Sequence, residues 1–352
     1  MRVTLGLFVV AGVSALAACQ EKTERSAEPA ASVDRNAAID PAVAKAVAAA
    51  SVHAAKGPAP SASGGPPPTG VFAPGAADKE LARGAAPKLT VGGTGSEPRV
   101  ALGAPQPKPG WKASGSIQVM MQQDPRQGGL PVDLGVTLEA SKPSGEASAG
   151  GAFVNVTAKV TSAKVGVTGV PRELETRIGA LKGARITYEV GPDGAGTHYK
   201  TEATAEAAEA RDQLRMLEDA LALVTLPRPT EPVGVGAIWM ATSRDAVFGM
   251  DLVTYRLVKV EEVAGDNVTL SIGTKRYAAS DQFTMDGLDA KAPKELLEFQ
   301  ARSDGRLTFA VGVPFPQNGE IQSMLGASLG QGGQQRGVLQ LQSRIGLDFR
   351  KR

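Results

Sequence analysis

The sequence contains few of the residues that form metal and redox sites. Its 352 residues include one cysteine, Cys19, and two histidines, His53 and His198. A single cysteine excludes an internal disulfide, so a folded domain must depend on apolar burial, for which the chain is long enough. Structural zinc sites combine several Cys, His or acidic ligands, and no such combination is spaced along this chain. The sequence therefore predicts neither a metal nor a cofactor.

Aromatic residues and unbalanced charge are scarce as well. Aromatics make up 4% of the chain, and 38 basic residues face 36 acidic ones, for a formal net charge of +2. Nucleic-acid-binding domains combine a concentrated basic surface with stacking aromatics, so no nucleic-acid partner is expected. We interpret the basic C-terminal group as a solvated end, with contact to anionic lipid headgroups as the alternative. The group consists of Arg344, Arg350, Lys351 and Arg352.

Long hydrophobic runs are also missing. The apolar run near the start, Leu5 to Val13, is shorter than the roughly 20 residues needed to cross a bilayer. Arg2 precedes this run, and mostly small residues occupy positions 14–18, directly before Cys19. A charged start, a short apolar core and small residues before a cleavage point are the parts of a secretory signal. We therefore assign residues 1–18 to a signal peptide.

The segment Leu16-Ala17-Ala18-Cys19 resembles the lipobox of bacterial lipoproteins. In that family the signal is cut before the cysteine, which carries acyl chains such as palmitate and anchors the protein stably to a membrane. The resemblance implies lipid attachment at Cys19 and a location in the cell envelope. Gln20 stands where an aspartate would retain the protein at the inner membrane, so the resemblance favours the outer membrane. The alternative is an ordinary secretory signal followed by a chance cysteine.

Residues 19–87 have the composition of a disordered tether that begins at the lipidated cysteine. Ala, Pro, Gly and Ser dominate, as in residues 57–68, and such a segment buries too little apolar surface to offset its ordering entropy. A coil of ~70 residues spans on the order of 45 Å. The folded domain is accordingly expected over residues 88–352.

Beyond residue 88 apolar and polar residues alternate, which is typical of strands with one buried face. The alternation changes parity near residue 162, which predicts a bulge or a turn there. Two hairpin loops of three residues ending in glycine are predicted at 263–265 and 303–305. The alternating segments are residues 132–138, 154–160, 186–190, 307–313 and 339–349.

Two helices interrupt the strands, one over residues 171–183 and one over about 204–224. The second carries a broad apolar stripe that a sheet should cover. This order predicts an α+β fold in which a curved, half-barrel-like antiparallel sheet packs on about two helices. At the level of architecture alone, the arrangement resembles the half-barrel of lipoprotein carriers such as LolA and LolB.

Three segments look like parts of uncharacterised lipoproteins of predatory soil bacteria. They are residues 70–79, residues 95–100 and residues 232–239. The resemblance supports the envelope address and implies no activity.

The sequence offers few candidate catalytic groups. Residues 326–330 fit the G-x-S-x-G pattern of hydrolases, but no histidine follows Ser328, so we interpret the match as chance in a flexible loop. Asp281, Asp286 and Asp289 lack the spacing of a calcium loop and are interpreted as solvated. His198 is expected to be an exposed strand residue. Trp111 and Trp239 are expected to cover the ends of the core, with a half-wet ligand rim as the alternative.

These observations predict a membrane-anchored envelope lipoprotein that is not an enzyme and that binds an apolar ligand or a partner protein. A carrier of apolar ligands would contain an apolar cavity of roughly 300–1,000 Å³. The alternative is an envelope hydrolase that acts on cell-wall or lipid material. A hydrolase would need paired carboxylates, or a serine beside a base, in a cleft.

Overall fold

A computed structural model describes residues 66–103, 106–122, 129–142, 153–247, 250–283 and 295–351. The predicted signal peptide, Cys19 and the tether up to residue 65 lie outside the described residues, as do Asp286 and Asp289. In the described part the chain forms one open sheet of twelve antiparallel strands with three α-helices. The predicted α+β class with a curved antiparallel sheet is therefore confirmed.

The strands follow the order β1-β7-β8-β9-β10-β11-β12-β2-β3-β4-β5-β6 across the sheet, so β1 and β6 are its edges. Their bounds are β1 Lys88–Gly93, β2 Lys112–Gln122, β3 Leu130–Ser141, β4 Val154–Val165, β5 Arg185–Val190, β6 Gly196–Glu202, β7 Ile238–Val247, β8 Met250–Ala264, β9 Asn267–Ala278, β10 Glu295–Ala310, β11 Asn318–Gln331 and β12 Gln334–Lys351. The helices are α1 Ala76–Glu80, α2 Arg172–Gly179 and α3 Arg211–Val224, the last preceded by a 3₁₀ turn at Ala207–Ala210.

The inner face of the sheet is the face that α3 covers. Residues paired across antiparallel strands point to the same face, and the pairing places a continuous apolar row on the inner side. One such row runs Val260, Leu270, Leu307, Gly319, Leu347, Ile117 and Leu134. Leu214, Leu217 and Leu221 of α3 are buried in the same cluster. Both predicted helices are present, the first one shorter than expected.

The parity change near residue 162 is a β-bulge. Val136 of β3 pairs with Val160 of β4, but the preceding Gly135 pairs with Ser162, so one extra residue lies in β4 at position 161. An extra residue reverses the face of every later side chain in the strand. The expected bulge is confirmed.

The hairpin predicted at residues 263–265 is present with a shorter loop, whereas the hairpin predicted at 303–305 was wrong. Val263 pairs with Val268 and Ala264 with Asn267, so Gly265 and Asp266 form the β8–β9 turn, and the extra residue is a bulge after Val260. Residues 303–305 are the middle of the continuous strand β10. A Cβ at position 305 would collide with the backbone and side chain of Ile321, so Gly305 permits close strand packing and does not mark a turn.

The packed domain begins before the predicted residue 88. Phe72, Ala77 and Leu81 are buried, and Phe72 and Ala77 pack with Tyr277 on the outer face of the sheet. Val71 forms a parallel bridge with Ala278. The boundary was predicted too late because this segment has the Pro, Gly and Ala content of a linker. Its few apolar residues nevertheless pack against the sheet.

Gly70 holds this segment against the sheet. The amide of Ala278 donates to the Gly70 carbonyl over 2.9 Å, and the amide of Phe299 donates to the Thr69 carbonyl over 2.8 Å. Gly70 has a φ of +76°, and a Cβ there would overlap the carbonyl oxygen of Phe299. Gly75 has nearly the same φ, +74°, but open space around its Cβ position.

The pair of glycines gives a matched test of this anchoring. We expect Gly75→Ala to lower the free energy of unfolding by about 1 kcal/mol, because an L side chain resists a positive φ. Gly70→Ala should lower it by clearly more. It should also speed tryptic cleavage after the exposed Lys79 and Arg83, because the segment must leave the sheet and its backbone becomes accessible. Urea unfolding and limited proteolysis measure both effects. Equal losses in the two variants would contradict the close approach to Phe299.

Candidate functional site

The described residues of α3 and of the inner face of the sheet pack closely, with small cavities between them. Two cavities described at this interface have volumes of about 20 Å³ each, which is room for about one water molecule. They lie on either side of Asp219, which lines both. Neither has the size expected for the cavity of an apolar-ligand carrier.

A buried ionic layer crosses this interface. The Arg276 guanidinium on β9 donates to the Asp219 carboxylate on α3 over 2.6 Å, and both side chains are buried. Arg256 on β8 lies 3.9 Å from Asp245 on β7 and donates to the Ala222 carbonyl of α3 over 3.0 Å. Burial lowers the pKa of Arg256, and Asp245 opposes that effect. These contacts tie α3 to the sheet at a defined position.

Hydroxyl groups continue the layer across neighbouring strands. Arg256 pairs in turn with Thr274, Ser303, Ser323 and, on β12, Ser343. Ser323 donates to the Ser303 hydroxyl over 2.9 Å. The Thr274 and Thr254 hydroxyls are buried and form no hydrogen bond with another described residue. The sequence contained a signal for this layer, because Thr274 and Arg276 continue the inward parity of Val268 and Ile272.

Another buried cation fixes the chain that leaves α3. Arg228 donates to the carbonyls of Val313 and Pro314 over 3.0 and 2.8 Å. Its guanidinium lies 4.1 Å from the ring centre of Phe309, a cation–π geometry. Burial lowers the pKa of Arg228 to about 9. We interpret Arg228 as a structural clamp between the α3 exit and the β10–β11 connection.

The buried ion pair between α3 and the sheet can be tested through its effect on stability. Arg276→Met should cost about 3–5 kcal/mol in the free energy of unfolding, because it leaves the Asp219 carboxylate buried and unpaired. The double variant Asp219→Leu with Arg276→Met should regain most of that loss, since an apolar pair needs no solvation. Urea unfolding of the two variants and the parent measures this. If the double variant is less stable than the single one, the pairing is not the source of the cost.

Two open concavities lie on the outer face of the sheet. Ala301 and Ser303 point inward and are buried, so Arg302 between them points outward. Its register partners form an outward row of five side chains across five strands. The row runs Lys275, Arg302, Met324, Gln342 and Gln122.

This row lines two adjoining cavities that we call the outer groove. One has a volume of about 380 Å³ and is closed at one side by Pro68, Gly70 and Tyr277. The other has a volume of about 410 Å³ and extends along the next outward row. That row runs Asp304, Gln322, Arg344 and Met120. The cavities share Gln122, Arg302, Met324 and Gln342, so they form one continuous depression.

Two like charges face each other in the outer groove. Arg302 is the register partner of Lys275, and within the described residues neither side chain forms an ion pair. Burial lowers the pKa of the Lys275 ammonium, Arg302 lowers it further, and Asp304 acts in the opposite direction. Uncompensated cations side by side destabilise a sheet, so their juxtaposition favours an anion between them.

The other polar side chains of the outer groove differ in whether they already form hydrogen bonds within the protein. Arg344 donates to the Glu320 carboxylate over 2.8 Å, and this contact lowers the pKa of Glu320. Gln322 donates to the same carboxylate over 3.1 Å. In the described part of the chain, the side chains of Gln300, Gln340 and Gln342 form no hydrogen bond. The outer groove therefore presents amides and cations to solvent.

Sequence reasoning missed the outer groove because its residues alternate with buried ones and resemble an ordinary solvated face. Its members come from β9, β10, β11, β12 and β2, and only the strand order brings β2 beside β12. The run of glutamines at 334, 335, 340 and 342 was the available signal.

The serine, the histidine and the tryptophans that were singled out from the sequence do not line the outer groove. Ser328 is within β11, so the predicted flexible loop was wrong, and the residue is not at a strand-to-helix turn. His198 is an exposed residue of β6, as expected, with Nδ1 2.9 Å from Glu189. Trp239 is fully buried on the inner face and donates to the Pro227 carbonyl, whereas Trp111 is half-buried. Among the described residues, no group of three His, Cys, Asp or Glu side chains could hold a metal ion.

No protein-family model matches the chain, and no curated protein matches it. It is similar to the crystal structure of Rv2717c from M. tuberculosis at 10% identity, over 68% of this chain and 91% of that one, with a TM-score of 0.20. A likeness of that size carries no argument about function. In the described part, no helix has the length and apolar character to span a bilayer.

Proposed function

We propose that this protein is a non-enzymatic lipoprotein of the cell envelope, anchored at the outer membrane through Cys19, that binds a ligand or partner in the outer groove. The observation that carries the binding role is the pair Lys275 and Arg302. The two cations lie in an open depression of ligand-binding size. The lipobox-like segment at residues 16–19 supports the anchor.

The lining of the outer groove combines polar and apolar surface, and its cations favour an anionic ligand or partner over a purely apolar one. Glutamine, lysine and arginine side chains dominate the two outward rows. Apolar side chains also line the cavity of about 380 Å³, among them Tyr277, Phe299 and Leu341. The inner face, where an apolar ligand would be sheltered, is occupied by α3.

A hydrolase has less support in the described residues. Asp304 is the one carboxylate that lines the outer groove, whereas glycoside hydrolysis generally uses two. Asp219 and Asp245 are buried beside arginines. A binding role needs only the groups that the outer groove already presents.

The anchor predicts a specific effect of Cys19→Ser. In a bacterium with an outer membrane, the wild-type protein should incorporate labelled palmitate and sediment with the membrane fraction. The variant should lose the label and leave that fraction, because the acyl chains supply the membrane affinity. Fractionation with quantitative blotting measures this. Unchanged sedimentation of the variant, or a wild-type protein without label, would contradict the lipid anchor.

Binding in the outer groove is tested by filling it. Met324→Trp places a large side chain in the outer groove, and Val338→Trp adds the same ring on β12 at an exposed position outside the lining. Native mass spectrometry of envelope-purified protein should show a bound mass for wild type and Val338→Trp and none for Met324→Trp. A clean apo mass for wild type, or the same adduct in all three, would contradict a ligand in the outer groove.

A further inference from the structure

We propose that the ligand of the outer groove is an acidic glycan, a sugar polymer that carries carboxylate or phosphate groups. The inference deepens the proposed function and rests on it. It follows from the juxtaposed cations Lys275 and Arg302, the surrounding glutamine amides, and the position of the outer groove in the interior of the sheet.

The two cations of the outer groove indicate that the ligand is negatively charged. Lys275 is half-buried and Arg302 is exposed, and no carboxylate of the described residues lies within ion-pairing distance of either. An anion bound between them would be shared by an ammonium and a planar guanidinium, which both donate charge-assisted hydrogen bonds to carboxylate or phosphate oxygens. Asp304, on the adjoining row, disfavours a ligand of high charge density at that end.

The glutamine amides indicate that the ligand carries groups that both donate and accept hydrogen bonds. Gln300 projects from β10, and Gln340 and Gln342 project from β12, two strands away in the sheet. Their side chains form no hydrogen bond in the described part of the chain. Each glutamine amide both donates and accepts hydrogen bonds, as a sugar hydroxyl does. The outward row crosses four strand spacings, about 19 Å, which accommodates several consecutive sugar units.

The backbone argues against an acidic peptide. Extended peptides gain much of their affinity by adding a strand to an exposed sheet edge. The strands under the outer groove, β9 to β12 and β2, are all interior and pair on both sides, and the edges β1 and β6 lie elsewhere. A peptide lying here would gain no backbone pairing from the sheet, whereas a glycan binds through side-chain contacts alone.

The test uses the full-length lipidated protein in a polyoxyethylene detergent, which carries neither charge nor sugar. The probes are an oligogalacturonate, a neutral maltodextrin of equal length and an oligoglutamate peptide, with affinity measured by calorimetry. We expect oligogalacturonate to bind, more weakly as salt is added, and the other two to bind at least tenfold more weakly.

Substitutions then locate the site. The double variant Lys275→Gln with Arg302→Gln should weaken oligogalacturonate binding roughly 100-fold, about tenfold for each lost charge-assisted contact. Arg306→Gln is the matched control, because Arg306 is exposed on the same face of β10 outside the lining. It should bind as wild type does. Circular dichroism checks that all variants remain folded.

Each outcome decides the proposal. Equal or tighter binding of oligoglutamate would overturn the glycan and indicate an acidic protein partner. If the double variant and Arg306→Gln lose equal affinity for oligogalacturonate, the net charge of the protein governs binding and the proposed site is overturned. If no probe binds while the native adduct still disappears in Met324→Trp, the ligand class is wrong and the proposed function stands. If the adduct is also independent of Met324, the proposed function fails as well.

Discussion

The burial of α3 against one face of an open sheet is the constraint on which the rest of the structure depends. Twelve antiparallel strands that do not close into a barrel have two faces, and an apolar face must be covered. The nine buried residues of α3 provide part of that cover. Because the helix packs on the inner face, the outer groove lies on the opposite, open face of the sheet.

The way in which α3 is held explains why a helix with a broad apolar stripe adopts one position. Apolar contacts alone tolerate sliding and rotation, since Leu, Met and Ala side chains fit many neighbours. The Asp219 carboxylate can meet the Arg276 guanidinium at a single height along the strands, and Ala222 must then accept from Arg256. The hydroxyl row on β9 to β12 extends this polar layer between two apolar clusters.

Local patterns predicted the elements of this fold, and long-range pairing decided what they build. The bulge in β4 and both longer helices could be predicted because parity and helical spacing are properties of a few consecutive residues. Gly305 misled the prediction because glycine favours a turn and also permits close strand packing, and only the position of Ile321 distinguishes the two. The outer groove could not be predicted, because Gln122 meets Gln342 only once β2 and β12 are neighbours.

The position of Pro68 and Gly70 gives the outer groove a physical relation to the membrane. These residues line one side of the groove, and Pro66 follows Cys19 by 47 positions, a length that extends at most about 160 Å. With Cys19 lipidated as proposed, the groove stays within about 160 Å of the lipid anchor. Ligands fixed to the same surface would then be met at an effective concentration set by the chain length and not by the bulk solution. A weak intrinsic affinity would suffice for stable engagement there, and ligands shed into the medium would compete poorly.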